Sequence, residues 1–388
     1  MRNIRVLLGV SILFGVGTGL YDFVLPFYLK ERGLSYPDMG WLFAASAAVM
    51  VVIRLATGRM VDRRGCKRPY LVAALGSALT SLLTALTGNI VFLTILKTGR
   101  EVCVVLRDTV HPVVLYIEDR VRFRDHVGRI RGFEMISQAA GTMLAGAAIV
   151  VLGNGGSMAV SAVVLAAAGT LVAFGLADRR PAASDTPVKG SLWRWDMERN
   201  LKVIMVSGFL YNIGLSMSHG FLMPLFFSES FGATEGSVSV ILFLHKLTPV
   251  LPLLLAGRLR FRNLKLAYLS ALALQGILMA AGGLIPWFLP ATAVWMLHDF
   301  VGIGVWLPIQ NEIIQRHCRE SMRGLDLSKT LVLSSAGGAI GPVLSGFLAG
   351  RSLRGTWILS GAFLVVAALV LLLLRLEPAP RDPAAARS

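Results

Sequence analysis

The sequence predicts an all-α integral membrane protein with twelve transmembrane helices, and three observations support this. Of the 388 residues, 55% are hydrophobic and only 15% are charged, whereas soluble proteins carry about 25% charged residues. Apolar runs of about 20 residues, the length that crosses a bilayer, recur along most of the chain. Basic residues are concentrated in alternate connecting segments. We therefore expect no separate soluble domain.

Each of the twelve apolar runs is predicted to form one membrane span. The first follows Arg2 and Arg5, but it is too long for a cleavable signal peptide and lacks a small-residue cleavage site. It is therefore taken as the first span. The runs cover residues 4–29, 39–57, 69–87, 90–115, 132–152, 156–176, 202–227, 236–256, 264–285, 287–311, 328–349 and 355–375.

The net charge of +16 is distributed unevenly across the predicted membrane. With the N-terminus in the cytosol, cytosolic segments hold 29 of the 38 Lys and Arg residues, and outer loops hold only Lys30, Arg32, Arg351 and Arg354. This asymmetry follows the positive-inside rule and predicts two cytosolic termini in a plasma (cytoplasmic or inner) membrane. Attraction to anionic lipid accounts for the charge, so the lipid bilayer, rather than nucleic acid, is the expected partner.

Several chemistries lack their sequence signatures. The six histidines show no metal-ligand spacing, and no GxxxxGK[ST] phosphate loop occurs. No nucleophile–base pair stands out, so we expect no enzyme, no metal and no cofactor. Cys66, Cys103 and Cys318 fall in cytosolic loops or a span, so no disulfide is expected.

The only long polar segment, 177–201, predicts a cytosolic linker between two six-helix bundles, 1–176 and 202–388. The halves show weak internal repetition. Pro26 near the end of the first span is matched by Pro224 near the end of the seventh, at an offset of 198 residues. Parallel repeats of this kind build one large class of secondary transporters.

A charged loop at 58–68 separates the second and third spans. It contains one acid, Asp62, among five basic residues, and Gly58 allows the two helix ends to approach. Its counterpart at 257–262 keeps the Gly-Arg start but has no acid. The proposed gating residues are Gly58, Asp62, Arg63, Gly65 and Arg68.

This loop resembles the signature loop of the major facilitator superfamily. The resemblance implies a fold of two pseudo-symmetric six-helix bundles, a small-molecule solute, alternating access and a monomer. It further implies that the Asp62 loop latches the cytosolic side near the N-terminus of span eleven in the outward-open state, where the helix dipole favours an acid.

A second motif is similar to the glycine-proline pattern of facilitator antiporters. Gly337, Gly341-Pro342 and Gly346 carry it in span eleven, whereas in the family it usually lies in span five. Here span five has Gly141 and Gly146 without the proline. The resemblance suggests an exporter or antiporter branch, and the glycines permit close helix packing.

Span four carries the densest set of intramembrane charges. At 100° per residue, its six ionisable side chains fall within an arc of about 120°. Arg100, Arg107 and His111 lie along one edge, Glu101 and Asp108 along the other, with Lys97 between them. A stripe of this kind faces water or partner helices, not lipid, and marks a functional candidate. Arg100 is similar to an arginine that members of the facilitator family carry at about this place in span four.

Polar stripes also occur on spans one, seven and ten, which together with span four line the central cavity in the facilitator fold. They include Asp22 in span one, Asn212 and His219 in span seven, and Asp299 with its neighbours in span ten. Lys246 in span eight needs a carboxylate partner such as Asp299 or Glu101. The proposed cavity residues are Asp22, Arg100, Glu101, Arg107, Asp108, Asn212, His219, Lys246, Trp295, His298, Asp299 and Trp306.

The sequence favours a secondary active transporter that exports a small organic solute in exchange for protons. Asp22 and Asp299, followed by Glu101, are the first choices for the proton carrier, because desolvation favours a neutral carboxyl. Substrate charge stays open, since the spans hold five cations and five acids. Proton-coupled uptake of an organic anion is the alternative, and a transporter-like scaffold without flux is a further one.

Overall fold

The computed structural model describes residues 2–64, 66–119, 123–178, 196–255, 261–319 and 323–376, and helices occupy every predicted span. In the first half, the fifth and sixth spans form one continuous helix, α5, which changes direction at Gly153 (φ 69°, ψ 179°). A positive φ of this size favours glycine. The bounds are α1 Arg2–Glu31, α2 Tyr36–Arg64, α3 Lys67–Ala85, α4 Ile90–Glu118 and α5 Phe123–Gly175.

Three spans of the second half are each divided into two helices. The seventh is interrupted around Gly220 (φ 78°), the eighth at Thr248 and Pro249, and the tenth at Gly302 (φ −77°, ψ −102°). The bounds are α6 Arg199–Ser218, α7 Leu222–Phe231, α8 Glu235–Leu247, α9 Val250–Leu255, α10 Leu264–Leu284, α11 Phe288–Val301, α12 Ile303–His317, α13 Arg323–Ala349 and α14 Leu353–Val370, followed by a 3-10 turn at Leu371–Leu373.

Within the described residues, seven helical segments are long and apolar enough by themselves to cross a membrane. The predicted number of spans is larger in part because the fifth and sixth spans fall within one continuous helix and count as one segment. The eighth span is divided into pieces of 13 and 6 residues, each too short to cross a bilayer alone. α4 carries six ionisable side chains within its span.

The second helix is longer than the sequence suggested. α2 continues through Gly58 to Arg64, and α3 begins at Lys67, so most of the predicted 58–68 loop is helical. One interior glycine costs a helix only about 1 kcal/mol, and Met60 and Val61 continue the apolar pattern. The connection itself is therefore only a few residues long.

Two compact units are defined by contacts along the chain. Unit 1 comprises Met1–Val188, Ser216–Leu247 and Gly338–Thr356, and unit 2 comprises Lys189–Leu215, Thr248–Gly337 and Trp357–Ser388. These units cut across the predicted bundles because parts of α7, α8 and α13 pack against first-half helices. The linker prediction at 177–201 stays a prediction.

Glycines bring the helices of unit 1 into backbone contact. A Cβ atom at Gly19 would lie 2.1 Å from the Gln138 carbonyl oxygen, and one at Gly141 would lie 2.3 Å from the Val16 carbonyl oxygen. Larger residues at these positions would force α1 and α5 apart. Close backbone approach of this kind is typical of helix packing in membranes.

Unit 2 is held together in a similar way. A Cβ atom at Gly276 of α10 would lie 2.6 Å from the Gly361 carbonyl oxygen of α14. The Ser207 hydroxyl donates a hydrogen bond to the Ala367 carbonyl oxygen (2.8 Å). α6, α10 and α14 therefore form a tightly packed core for this unit, in which Trp357 is fully buried.

Candidate substrate and proton site

The Arg100 guanidinium on α4 forms an ion pair with Asp22 on α1. Nη1 of Arg100 lies 3.0 Å from Oδ1 of Asp22. The arginine side chain is 1% exposed, whereas the aspartate side chain is 42% exposed. Arg100 also lies over the Tyr21 ring, 3.8 Å from its centroid, in a cation–π arrangement. The cation is thus held beneath an accessible carboxylate.

Lys97 and Glu101 repeat this arrangement one turn along α4. They form an i,i+4 ion pair, and the Lys97 ammonium lies 5.0 Å from the Phe43 ring centroid. The lysine side chain is again the more buried partner, and the glutamate is the more accessible one. Neighbours at this spacing share a helix face.

Arg107 is the third buried cation of α4. Its guanidinium lies 2.6 Å from the Glu134 carboxylate of α5 and 3.6 Å from the Asp108 carboxylate. The side chain of Arg107 is 3% exposed, against 39% for Asp108. Arg131 also approaches Asp108, at 3.5 Å. Glu134 is therefore the closer partner, and Asp108 is the more exposed of the two carboxylates.

His111 continues the buried edge of α4. Its Nδ1 atom lies 2.9 Å from the Tyr70 hydroxyl of α3, and both side chains are buried. This hydrogen bond gives the histidine a defined partner inside unit 1. His111 therefore has a structural contact at the C-terminal end of the α4 stripe.

The α4 cluster, defined here as Asp22, Lys97, Arg100, Glu101, Arg107, Asp108 and Glu134, has a consistent arrangement of charge. In every pair within the spans the cation is the more buried member. The accessible ionisable atoms of this cluster are mainly the carboxylates of Asp22, Glu101 and Asp108. A surface of this kind attracts cations and protons.

Lys246 on α8 is a buried cation of unit 1. The Asp22 carboxylate lies within electrostatic range of its ammonium. Asp22 therefore interacts with two cations of unit 1, Arg100 and Lys246. The sequence could not give this pairing, because it depends on how α1 and α8 pack.

Asp299 of unit 2 lies in a second buried polar cluster. Its Oδ1 atom accepts a hydrogen bond from the Gln275 amide at 3.3 Å and lies 3.2 Å from Nε2 of His298. The indole of Trp306 donates to Oε1 of Gln275 at 2.7 Å. Asp299 and Trp306 are each 5% exposed, so this carboxylate is far less accessible than Asp22.

Aromatic rings pack against one side of the Asp299 cluster. Trp306 contacts the Tyr211 ring edge-on at 4.9 Å and stacks on the Tyr268 ring at 5.9 Å. Trp295 has another environment, since it is fully buried and lies 6.1 Å from the Trp357 ring. Of the two predicted cavity tryptophans, Trp295 contributes to the core of unit 2.

The predicted span-seven residues have local partners. The Asn212 amide donates to the Gly208 carbonyl oxygen and to Oγ of Ser334, both at 2.8 Å. Nδ1 of His219 lies 3.1 Å from Oγ of Ser218. Asn212 therefore links α6 to α13 within unit 2.

The gating-loop prediction falls largely outside the described part of the chain. The backbone of Gly58, Asp62 and Arg63 lies within α2, but the surroundings of these residues are not described. Gly65 is not described at all. Arg68 is exposed in the first turn of α3. The latch stays a prediction.

Sequence reasoning missed two residues that organise the site and underrated a third. Tyr21 lies beneath Arg100, and Gln275 joins Asp299 to Trp306. The third is Glu134 of span five, which is the closer partner of Arg107 but is not among the predicted cavity residues. Gln275 carried a usable signal, because it is the only amide in the apolar helix α10.

Unit 1 also contains a polar contact at the predicted outer ends of its helices. The Tyr36 hydroxyl donates to the Glu229 carboxylate, and Lys30 lies 3.4 Å from the same carboxylate. Lys30 also lies 4.1 Å from the Tyr36 ring centroid. Burial, reinforced by Glu229, raises the pKa of Tyr36, so this hydroxyl stays protonated and donates.

Below this contact, α2 and α13 approach at two glycines. A Cβ atom at Gly40 would lie 2.4 Å from the Pro342 carbonyl oxygen, and one at Gly346 would lie 2.7 Å from the Tyr36 carbonyl oxygen. Similarly, a Cβ atom at Gly146 of α5 would lie 2.2 Å from Oγ of Ser239 on α8. These contacts join first-half and second-half helices within unit 1.

Comparisons with known proteins agree with this architecture. The chain matches the family model of the Major Facilitator Superfamily over residues 1–106 and 204–388. It is 23% identical over 381 residues to Multidrug resistance protein 2 of Bacillus subtilis (strain 168), covering 93% of this chain and 92% of that protein.

Solved transporter structures share the fold at low sequence identity. The nucleoside transporter NupG has a TM-score of 0.77 at 14% identity, with 96% of this chain and 98% of that chain covered. A bacterial homolog of the human lysosomal transporter Spinster, inward-facing and occupied, has a TM-score of 0.78 at 12% identity, covering 95% of each. A bacterial homologue of the iron transporter ferroportin, in its inward-facing state, has a TM-score of 0.73 at 14% identity, with 96% and 98% covered.

The chain belongs to the major facilitator superfamily, and it is therefore an integral membrane transporter of a small-molecule solute and not an enzyme.

Proposed function

We propose that this protein exports an amphipathic organic cation across the plasma membrane in exchange for protons. One observation carries the proposal: in the α4 cluster the cations are buried and the accessible groups are the carboxylates of Asp22, Glu101 and Asp108. An anionic substrate would meet these carboxylates first and would be repelled. A cationic substrate would be attracted.

Asp22 is the proposed exchange group. Its side chain is 42% exposed, so it is the most accessible carboxylate of the α4 cluster. A proton and a substrate cation both neutralise this carboxylate, and they therefore compete for it. Competition of this kind at one group couples export of the cation to inward movement of protons.

Arg100 is the buried ion-pair partner of Asp22 in this exchange. Its guanidinium lies 3.0 Å from Asp22 and stacks on Tyr21, so the ion pair holds the carboxylate in position. When Asp22 is protonated, the Tyr21 ring still provides a favourable surface for the guanidinium. Arg100 thus positions the carboxylate and itself remains in place.

Alternating access supplies the transport cycle. The contacts of Gly40 with α13 and of Gly146 with α8 close the predicted outer ends within unit 1. In this proposal they separate when the site opens outward, and the Asp62 loop then latches the cytosolic side. Both termini and the 177–201 linker are cytosolic, the transporter works as a monomer, and it binds no nucleic acid.

The Bacillus subtilis relative supports an export role, because its name denotes multidrug resistance. Asp299 itself is nearly inaccessible, so it ranks after Asp22 as the proton carrier.

The test compares matched solutes in proteoliposomes with an imposed pH gradient. One probe is a lipophilic aromatic amine that is permanently charged as its quaternary ammonium, and its control is the same scaffold bearing a carboxylate. We expect proton-driven movement of the ammonium, which Asp22→Asn abolishes and Asp38→Asn leaves unchanged. Movement of the carboxylate with protons would favour anion uptake, and no flux of either probe would favour a scaffold.

A further inference from the structure

Two histidines of unit 1 lie close together outside the α4 cluster. His219 occupies the interruption between α6 and α7, and His245 lies near the end of α8. Their ring centroids are 6.1 Å apart. We infer that this histidine pair binds a divalent late transition-metal ion, such as Zn²⁺, Ni²⁺ or Cu²⁺. The inference does not depend on the proposed organic-cation substrate.

The spacing of the pair suits a shared ion. A metal–imidazole bond is about 2.0–2.1 Å long, so two nitrogens on one ion lie at most about 4.2 Å apart. The candidate ligand nitrogens of His219 and His245 lie within 4.8 Å of each other. Small side-chain rotations are enough to bring both nitrogens onto one ion, with water completing the coordination.

The local structure orients His219 for such a role. Oγ of Ser218 lies 3.1 Å from its Nδ1 atom, and Gly220, at φ 78°, ends the helical path directly after it. Metal-binding histidines commonly engage their second ring nitrogen in a hydrogen bond, which fixes the tautomer and the ring orientation. The Ser218 contact thus orients the His219 ring.

Burial determines which metals fit the pair. His245 is only 5% exposed, and its Nε2 atom is shielded from solvent. Mg²⁺ and Ca²⁺ require several oxygen ligands, which two imidazoles do not provide. Imidazole nitrogen favours Zn²⁺, Cu²⁺ and Ni²⁺, so the site selects late transition metals.

The nearby positive charge of Lys246 does not prevent binding. Successive side chains on a helix point about 100° apart, so Lys246 leaves α8 in a different direction from His245. Its ammonium interacts with the Asp22 carboxylate, which offsets its charge. The sequence did not reveal this pair, because its members are 26 positions apart and a helix interruption lies between them.

The test uses purified full-length protein and the chloride salts of Zn²⁺, Ni²⁺ and Mg²⁺ alone. Unfolding temperature is measured against metal concentration, because an ion that binds the folded state raises it. We expect Zn²⁺ and Ni²⁺, but not Mg²⁺, to stabilise the wild type. His219→Gln and His245→Gln should each weaken the apparent affinity at least about tenfold, whereas His126→Gln and His317→Gln should not.

A spectroscopic measurement on the wild type keeps the inference testable if a variant misfolds. Electron paramagnetic resonance of bound Cu²⁺ should show coupling to two imidazole nitrogens. One or no coupled imidazole, or sulfur coordination from a cysteine, would overturn the inference. It would also be overturned by Mg²⁺ stabilising the wild type equally, or by unchanged Zn²⁺ affinity in both glutamine variants.

Discussion

The Gly40→Ala substitution is expected to open the contact between α2 and α13. In the structure, the added Cβ atom would lie 2.4 Å from the Pro342 carbonyl oxygen and 3.1 Å from the Gly346 Cα, and ordinary van der Waals contact begins at 3.4 Å. The two backbones must therefore separate by about 1 Å. Both neighbours belong to the main chain, so side-chain rotation cannot relieve the overlap.

The cost falls on the state in which the outer ends are closed. Overpacking typically costs about 1–3 kcal/mol, and each 1.4 kcal/mol changes an equilibrium tenfold. The outward-open population should therefore rise roughly 5- to 150-fold. Gly132→Ala is the matched control, because no atom lies within 4 Å of the added methyl group.

The assay measures access to a cysteine placed on a separate contact of unit 1. Ser239→Cys on α8, which is buried beside Gly146, is introduced after the native cysteines have been replaced by serine. The rate of reaction with a membrane-impermeant maleimide is measured from outside intact cells. We expect a rate increase of at least fivefold for Gly40→Ala. Equal rates for Gly40→Ala and Gly132→Ala would refute the reasoning.

Three further predictions concern charged contacts. Glu134→Gln should destabilise the protein more than Asp108→Asn, since Glu134 is the closer and more buried partner of Arg107. The expected loss of folding free energy is about 3–5 kcal/mol, measured from the unfolding temperature, and equal losses for the two variants would contradict it. Glu229→Gln should weaken the contact with Lys30 and Tyr36 and speed maleimide labelling at Ser239→Cys about 2- to 5-fold, whereas labelling no faster than in the Asp38→Asn control would count against this role. Hydrogen bonds from Arg319 lower the pKa of Asp326, so this contact stabilises the protein above the usual carboxyl pKa and is lost as pH falls through the lowered value. Asp326→Asn should therefore lower the unfolding temperature at pH 7 but less at pH 3, and a pH-independent difference would argue otherwise.

Several features of the site could be predicted from the sequence because they depend on one helix alone. The 100° geometry of α4 places Arg100, Arg107 and His111 on one edge and Glu101 and Asp108 on the other. In the structure the first edge is buried and the second is accessible. The apolar runs likewise locate all twelve spans, because length and hydrophobicity are local properties.

Contacts between helices could not be predicted in the same way. Lys246 lies within electrostatic range of Asp22, and this proximity depends on the packing of α8 near α1. Gln275 reaches Asp299 and Trp306 only because α10 lies against α11 and α12. Sequence periodicity gives the direction of a side chain on its own helix but not the partner that it meets.

Helix boundaries were predictable only where a strong signal was present. Asn89 accepts hydrogen bonds from the backbone NH groups of Val91 and Phe92 and fixes the start of α4, as expected for an Asn N-cap. α2, in contrast, runs past Gly58 because one glycine is a weak breaker. The interruption at Gly302 lies within an apolar run, and no comparable sequence signal marks it.

Proton release on substrate binding tests the central claim most directly. The purified protein is mixed with a permanently charged organic cation in weakly buffered detergent solution, and a pH indicator records the protons released. If cation and proton compete for Asp22, binding should release up to one proton per cation at some pH between 5 and 9, and Asp22→Asn should release none. Tight cation binding without proton release at any pH from 5 to 9 would contradict the exchange mechanism.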